Sequence, residues 1–231
     1  MAIEPTLDVE RELAAVGADL VIGCDEVGRG ALAGPVAVGV VAMHPDAAGI
    51  PLGLRDSKLL SERRREAMFD AVNEWGVARA VGMASASEID DLGIIASLAL
   101  AARRALVMIE DSLAASMAPV VLLDGSHDWL APVLRAEPLA RVPRLGVATR
   151  VKADRDCVSV AAASVLAKVV RDRLMVEADG RHPEYGWAGN KGYGAPNHLA
   201  AIRSLGATDQ HRRTWLRSIQ EQAQPVPGSA V

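Results

Sequence analysis

Two adjacent carboxylates, Asp25 and Glu26, stand at the end of a short apolar run and are followed at once by Gly28, Arg29 and Gly30. Two negative charges side by side repel. At about 4 Å and an effective dielectric near 20 the cost is on the order of 4 kcal/mol. A hard divalent cation removes that cost, and an all-oxygen donor set suits magnesium or manganese. Neighbouring residues of a regular strand point to opposite faces, so both carboxylates reach one site only if the strand ends or bulges there. The glycines that follow permit such a break. The plain alternative is an exposed acidic turn. Two further acids follow apolar runs: Asp124 ahead of Gly125, and Asp154 after residues 146–151. Each alone reads as a cap or turn residue.

Other residue types bear on the same chemistry. The segment Gly28-Arg29-Gly30-Ala31-Leu32-Ala33 formally fits the dinucleotide pattern G-x-G-x-x-A. Against that reading, Asp25 and Glu26 would repel a pyrophosphate, and Gly34-Pro35 leads into β-branched residues, so no helix N-terminus follows to receive phosphates. Lys58, in Asp56-Ser57-Lys58, is either a phosphate contact or a solvated loop lysine. On a later apolar helix, Ser164, Lys168 and Asp172 recur at intervals of four and share one face. Asp172 is expected to pair with Lys168 or Arg171 rather than to bind metal. Near the C-terminus Tyr193 lies between Gly192 and Gly194, with His198 shortly after and His211-Arg212-Arg213-Thr214-Trp215 beyond.

The longer string Asp25-Glu26-Val27-Gly28-Arg29-Gly30, continuing to Gly34-Pro35, resembles the signature of ribonuclease HII, the second type of ribonuclease H. The resemblance runs over residues 20–216. It implies a ribonuclease H-like α/β fold, a mixed β-sheet flanked by helices with a small, mainly helical C-terminal unit. It implies that Asp25, Glu26, Asp124 and Asp154 are catalytic and hold two Mg2+ or Mn2+ ions. The substrate implied is an RNA–DNA hybrid, or a DNA duplex containing ribonucleotides, cut to a 5′-phosphate and a 3′-hydroxyl. Gly28, Arg29 and Gly30 would read the 2′-hydroxyl, Lys58 a phosphate, and Tyr193 the neighbouring sugar. Ser164, Lys168, Asp172 and His198 take structural or secondary roles. Ala195 departs from the family, where threonine is common, as do Thr214 and Trp215 for the commoner serine and phenylalanine. Residues 126–144 read as an insertion. The alternatives are a ribonuclease HIII-type hybrid nuclease, for whose extra N-terminal domain the stretch ahead of residue 20 leaves no room, and a non-catalytic nucleic-acid-binding module.

These residues need a frame. Residues 20–24, 36–43, 77–84, 120–123 and 146–151 read as strands, and residues 61–75 and 158–176 as helices. Ser87-Glu88-Ile89-Asp90 resembles a capping box ahead of a long Ala/Leu helix. Consecutive strands followed by alternating strands and helices fit a mixed, helix-flanked sheet. The expected division is a catalytic domain over 1–178, a substrate-contacting unit over 179–223 and a flexible tail over 224–231. Aromatics are only 3 % of the chain, so the core must be built from small aliphatic side chains. The formal charge of -4 disfavours polyanion binding through global charge and leaves it to local patches. Candidates to track phosphates are Arg63, Arg64, Arg65, Lys152, Lys168, Lys191, Arg203, Arg212 and Arg213. Cys24 and Cys157 are expected to be reduced, buried thiols. The acidic N-terminus does not resemble a secretory signal, and the apolar stretch at 92–109 is broken by Arg103 and Arg104, so a cytoplasmic monomer without membrane contact is expected.

Overall fold

Small and β-branched side chains dominate the strands at the centre of the computed structural model, which describes residues 4–142 and 144–216. β1 (Leu20–Val27) pairs antiparallel with β2 (Val36–Met43), and β2 antiparallel with β3 (Ala78–Ala84). On its other side β1 pairs parallel with β4 (Pro119–Asp124), which pairs parallel with β5 (Gly146–Arg150). The sheet order is β3-β2-β1-β4-β5, the mixed sheet that the pattern implied.

The helices in chain order are α1 (Asp8–Ala15), α2 (Glu62–Asn73), α3 (Ala86–Leu92), α4 (Ile94–Leu113), α5 (Ala131–Ala136), α6 (Ala153–Asp156), α7 (Val158–Asp179), α8 (Trp187–Asn190) and α9 (Pro196–Leu205). Strand alternation sorts the sheet into two faces. Leu20, Ile22 and Cys24 share an apolar cluster with Leu98, Ala102 and Leu106 of α4. Val21 packs with Leu122, Cys157 and Val160 on the α7 side. Helix α7 rests directly on the sheet because glycines leave it room. A Cβ at Gly39 would lie 2.3 Å from the carbonyl oxygen of Ala163.

Three local expectations need correction. β1 does not stop at Cys24, because β2 goes on pairing with it through Asp25↔Gly39, Glu26↔Val38 and Val27↔Ala37. The capping box belongs to Ser85, not Ser87. The Ser85 hydroxyl accepts the Glu88 N–H at 3.1 Å and the Glu88 carboxylate accepts the Ser85 N–H at 2.8 Å. The helix it starts is short, and the chain turns at Gly93 (φ 77°) before α4. Third, Asp154 lies on α6 rather than at a strand end.

The Pro-rich stretch within 126–144 carries α5 and buries Trp129, Leu130, Leu134, Leu139 and Val142 in the α4-side core. It closes that core and leaves β5 in place. The boundary expected at 178 falls in the last turn of α7. Met175 and Ala178 there share an apolar cluster with Ala33, Tyr185, Trp187, Ala201, Ile202 and Leu216. The tail expected at 224–231 lies outside the described residues. Among the described residues no helix is long and apolar enough to cross a membrane.

Candidate active site

Asp25 and Asp124 follow the register partners Cys24 and Leu123 on neighbouring parallel strands, at the carboxyl ends where open sheets meet their ligands. Alternation places both on the α7 face. Asp25 is 4 % exposed, and its carboxylate accepts its neighbour's backbone N–H, from Glu26, at 2.9 Å. Asp124 Oδ1 accepts the N–H groups of Ala153 at 2.7 Å and Asp154 at 3.4 Å, and so fixes the start of α6. Asp154, 7 % exposed, accepts from Lys58 Nζ at 2.9 Å. Glu26 lies on the opposite strand face and is paired with Arg29 at 3.3 Å.

Burial above all, then the charge of Glu26, pushes the Asp25 carboxyl well above the usual range. Burial likewise raises Glu26, against its pairing with Arg29. Burial followed by the charge of Asp154 raises Asp124. Burial works against the charge of Lys58, but Asp154 and Asp25 outweigh it and hold the lysine above its ordinary range. The Cys24 thiol beneath is pushed up by burial and by the same acids, and so is a poor nucleophile. Among the described residues no three His, Cys, Asp or Glu side chains are gathered tightly enough to hold one metal ion as they stand. The carboxylates instead turn to separate donors: Asp25 to the Glu26 backbone, Glu26 to Arg29, Asp124 to the α6 backbone and Asp154 to Lys58. Mutual repulsion favours that dispersal, and a shared cation is what would oppose it.

The expected supporting residues surround this group. Ser164 stands beside Asp25, where it works against the rise that burial imposes on that carboxyl, and exchanges a 2.8 Å bond with Ser57, linking α7 to the Asp56–Lys58 turn. Asp172 pairs with Lys168 at 2.7 Å and with Arg65 at 3.6 Å, not with Arg171. Arg65 in turn donates to the carbonyls of Ser57 and Leu60, at 2.9 and 3.0 Å. Arg65 and Lys168 are therefore internal ties rather than free phosphate contacts. Arg63, Arg64, Lys152, Arg203 and Arg213 are exposed.

Arg212 is also no phosphate contact. It is fully buried, and its guanidinium donates to the carbonyls of Gly28 at 2.6 Å, Arg29 at 2.8 Å and Gly34 at 3.2 Å. Arg171, equally buried, donates to Pro35 at 2.8 Å, Lys191 at 2.9 Å and Ala33 at 3.1 Å. Burial, then repulsion from Arg171, brings the Arg212 pKa down to about 9, so Arg212 remains charged at neutral pH. Together they clamp the glycine turn from beneath. Sequence reasoning missed both anchors. A signal existed for Arg171, whose neighbours one turn away, Ala167 and Met175, are apolar and buried.

Gly28 is enclosed on three sides. Its φ of 81° is left-handed, its N–H donates to the Tyr193 hydroxyl at 3.2 Å, and an added Cβ would lie 2.0 Å from Arg171 Nε. Among the described residues the N–H groups of Arg29 and Gly30 meet no protein acceptor. Tyr193 is 37 % exposed and lies 5.5 Å from the Arg171 guanidinium. His198 holds its backbone. Thr208 N–H donates to His211 Nδ1 at 3.0 Å, which leaves His211 Nε2–H to donate to His198 Nε2 at 3.1 Å. His198 Nδ1–H then donates to the Tyr193 carbonyl at 2.8 Å. Burial lowers the pKa of His198, and burial followed by His198 lowers that of His211 to about 4, so both rings are neutral.

Comparison with known proteins follows the same lines. A family model described as Ribonuclease HII matches residues 22–218. The ribonuclease HII of Streptomyces avermitilis is 44 % identical over 213 residues, covering 91 % of this chain and 83 % of its own. The crystal structure of ribonuclease H2 from Pyrococcus horikoshii OT3 superposes with a TM-score of 0.67 at 27 % identity, over 88 % of this chain and 98 % of that one. The crystal structure of Bst-RNase HIII in complex with Mn2+ superposes with a TM-score of 0.68 at 26 % identity, over 91 % of this chain and 70 % of that one.

Proposed function

This chain belongs to the ribonuclease HII family and is a hydrolytic endoribonuclease, and on that premise we propose that it cuts the RNA strand of RNA–DNA hybrids and nicks duplex DNA on the 5′ side of an embedded ribonucleotide. The products are a 5′-phosphate and a 3′-hydroxyl. The observation that carries this reading is the juxtaposition of Asp25 and Asp124 on adjacent parallel strand ends, both with raised pKa values and with Asp154 beside them. Groups held together at such a cost mark a functional site.

The donor set fits hard divalent cations, since every available ligand atom is an oxygen. Asp25, Asp124 and Asp154, joined by Glu26 only once it leaves Arg29 and the end of β1 bends to bring it round from the opposite face, would hold two Mg2+ or Mn2+ ions, which when bound supply an acidified water and neutralise charge on the departing 3′ oxygen. The solved HIII neighbour contains Mn2+. The chain's own groups do the rest. Lys58, its side chain 67 % exposed, offers a fixed positive charge to a phosphate oxygen beside the acids. The free N–H groups of Arg29 and Gly30 are donors within reach of a sugar hydroxyl laid over the turn. Arg171 and Arg212 keep that turn in shape. Tyr193 presents its exposed side to the adjoining sugar, which is how a protein can tell RNA from DNA at one position.

The test is cleavage of an end-labelled DNA duplex carrying one ribonucleotide, with and without Mn2+. The parent should nick it only with metal, and Asp124→Asn should fold but not turn over. Normal turnover by folded Asp124→Asn removes Asp124 from the site. Failure of the parent to nick under either condition overturns the substrate assignment.

A further inference from the structure

Glu10 is a carboxylate with no exposure at all, on a helix that precedes the residues matched by the family model. Its Oε1 accepts from both Ser159 N–H at 2.9 Å and Ser159 Oγ–H at 2.8 Å, while its Oε2 is buried and meets no partner among the described residues. Burial raises its pKa and the Ser159 bonds oppose that rise. A buried, half-satisfied acid is costly, so it needs a reason to be there.

The reason lies in what Ser159 begins. It is the second residue of α7, the 22-residue helix against the sheet, whose N-cap Cys157 makes no side-chain cap. The first N–H groups of a helix have no partner inside it, and an acid beside them both accepts a hydrogen bond and meets the positive end of the helix dipole. Glu10 supplies that cap from α1. Three residues ahead of Cys157 stands Asp154, on a four-residue helix entered through Lys152 in a left-handed conformation (φ 63°). A turn so short and so conformed is not self-supporting. The N-terminal segment laces it at two more points: Thr6 N–H donates to Asp156 O at 3.0 Å, and Val158 N–H to Thr6 O at 3.3 Å. The same segment reaches the turn that carries Lys58, through the Glu4–Arg55 ion pair at 2.8 Å.

We propose that Glu10 is a positioning residue for Asp154: by capping α7 it fixes the α6–α7 corner, and with it the Asp154 carboxylate that faces Lys58 and Asp124. The proposal rests on Asp154 being a metal ligand, as inferred above. Ties outside a metal's immediate ligands commonly govern affinity by about 10–100-fold.

The experiment is calorimetric titration of the metal-free full chain with Mn2+, alongside far-UV circular dichroism and duplex KM in excess Mn2+. Glu10→Ala is expected to weaken Mn2+ binding by about tenfold, the low end of that range, with KM unchanged. Glu10→Gln keeps the oxygen facing Ser159 and should stay within about threefold of the parent. Folded Glu10→Ala binding Mn2+ as tightly as the parent overturns the proposal, even if its Tm is lower. If Glu10→Ala does not fold, Glu10→Asp replaces it, whose side chain is one methylene shorter and withdraws the oxygen from the Ser159 N–H, and unchanged Mn2+ affinity there overturns the proposal equally. Asp154→Asn separates the two layers. If it binds Mn2+ like the parent, the ligand assignment has failed, and the role of Glu10 falls with it.

Discussion

Gly28→Ala should be among the most damaging single-methyl additions near the acids. At φ 81° an L-residue costs about 1–2 kcal/mol. The larger cost is steric. The new Cβ would stand 2.0 Å from Arg171 Nε, where ordinary contact begins at 3.4 Å. The guanidinium must therefore retreat by roughly 1.4 Å. Its bonds to Pro35, Lys191 and Ala33 are 2.8–3.1 Å long and do not survive that shift together. A hydrogen bond to a charged group contributes about 1.5–3 kcal/mol, so losing one net bond and adding the backbone strain gives roughly 4 kcal/mol. For a chain of this size that corresponds to a Tm lower by roughly 8–16 °C. Cleavage at a single ribonucleotide should fall at least about a hundredfold at a temperature where the variant is still folded, because the Gly28 N–H also loses the Tyr193 hydroxyl. Differential scanning fluorimetry and single-turnover cleavage measure the two effects. Gly30→Ala is the control, since a Cβ there meets nothing within 4 Å; its Tm should match the parent. A Gly28→Ala protein with parental Tm and cleavage rate would refute the clamp.

Three further outcomes follow from individual side chains. Tyr193→Ala should slow cleavage at a single embedded ribonucleotide by roughly tenfold to a hundredfold, the worth of one stacking side chain, and an unchanged rate on that substrate would remove Tyr193 from recognition. Ala195→Thr should stabilise the protein by about 1 kcal/mol, read as a small rise in Tm. Ala195 is the N-cap of α9 with extended backbone (φ -70°, ψ 154°) and no side-chain cap, so the common family residue restores a missing hydrogen bond. The neutral His198–His211 pair should make stability fall with acid. A folded pKa near 4 against an ordinary 6.5 means that the folded chain binds fewer protons, so this contribution is full above pH 6.5 and is lost as pH falls toward 4. Its size is on the order of 3 kcal/mol for the 1 % exposed His211 ring. The raised acids push the other way, so the measurement is the Tm difference between the parent and His211→Asn from pH 7 to pH 4.5, and a constant difference would contradict it.

The acidic pair and its glycines are legible because few physical arrangements tolerate such neighbours, and the resemblance supplies distant Asp124 and Asp154. Strands at residues 36–43 and 78–84 are legible from β-branched and small aliphatic runs. What is hidden is held by tertiary geometry. β1 outlasts its apolar run because β2 continues to pair with Asp25 and Glu26. The Ser87 capping box is displaced by Ser85, whose spacing to Glu88 fits the reciprocal bonds. Arg212 has the composition of a phosphate contact, yet the carbonyls of Gly28, Arg29 and Gly34 consume it. Glu10 carries no motif, and only its burial against Ser159 marks it out.

Burial and repulsion at Asp25 together should make the metal-free protein less stable than it could be. Thermal unfolding of the parent and of Asp25→Asn, each with and without Mn2+ at neutral pH, reads this directly. Without metal, Asp25→Asn should melt higher than the parent, and Mn2+ should raise the parent's Tm while leaving the variant's nearly unchanged. A parent indifferent to Mn2+, or an Asp25→Asn protein that gains as much from Mn2+ as the parent does, would mean that these acids do not gather around a cation.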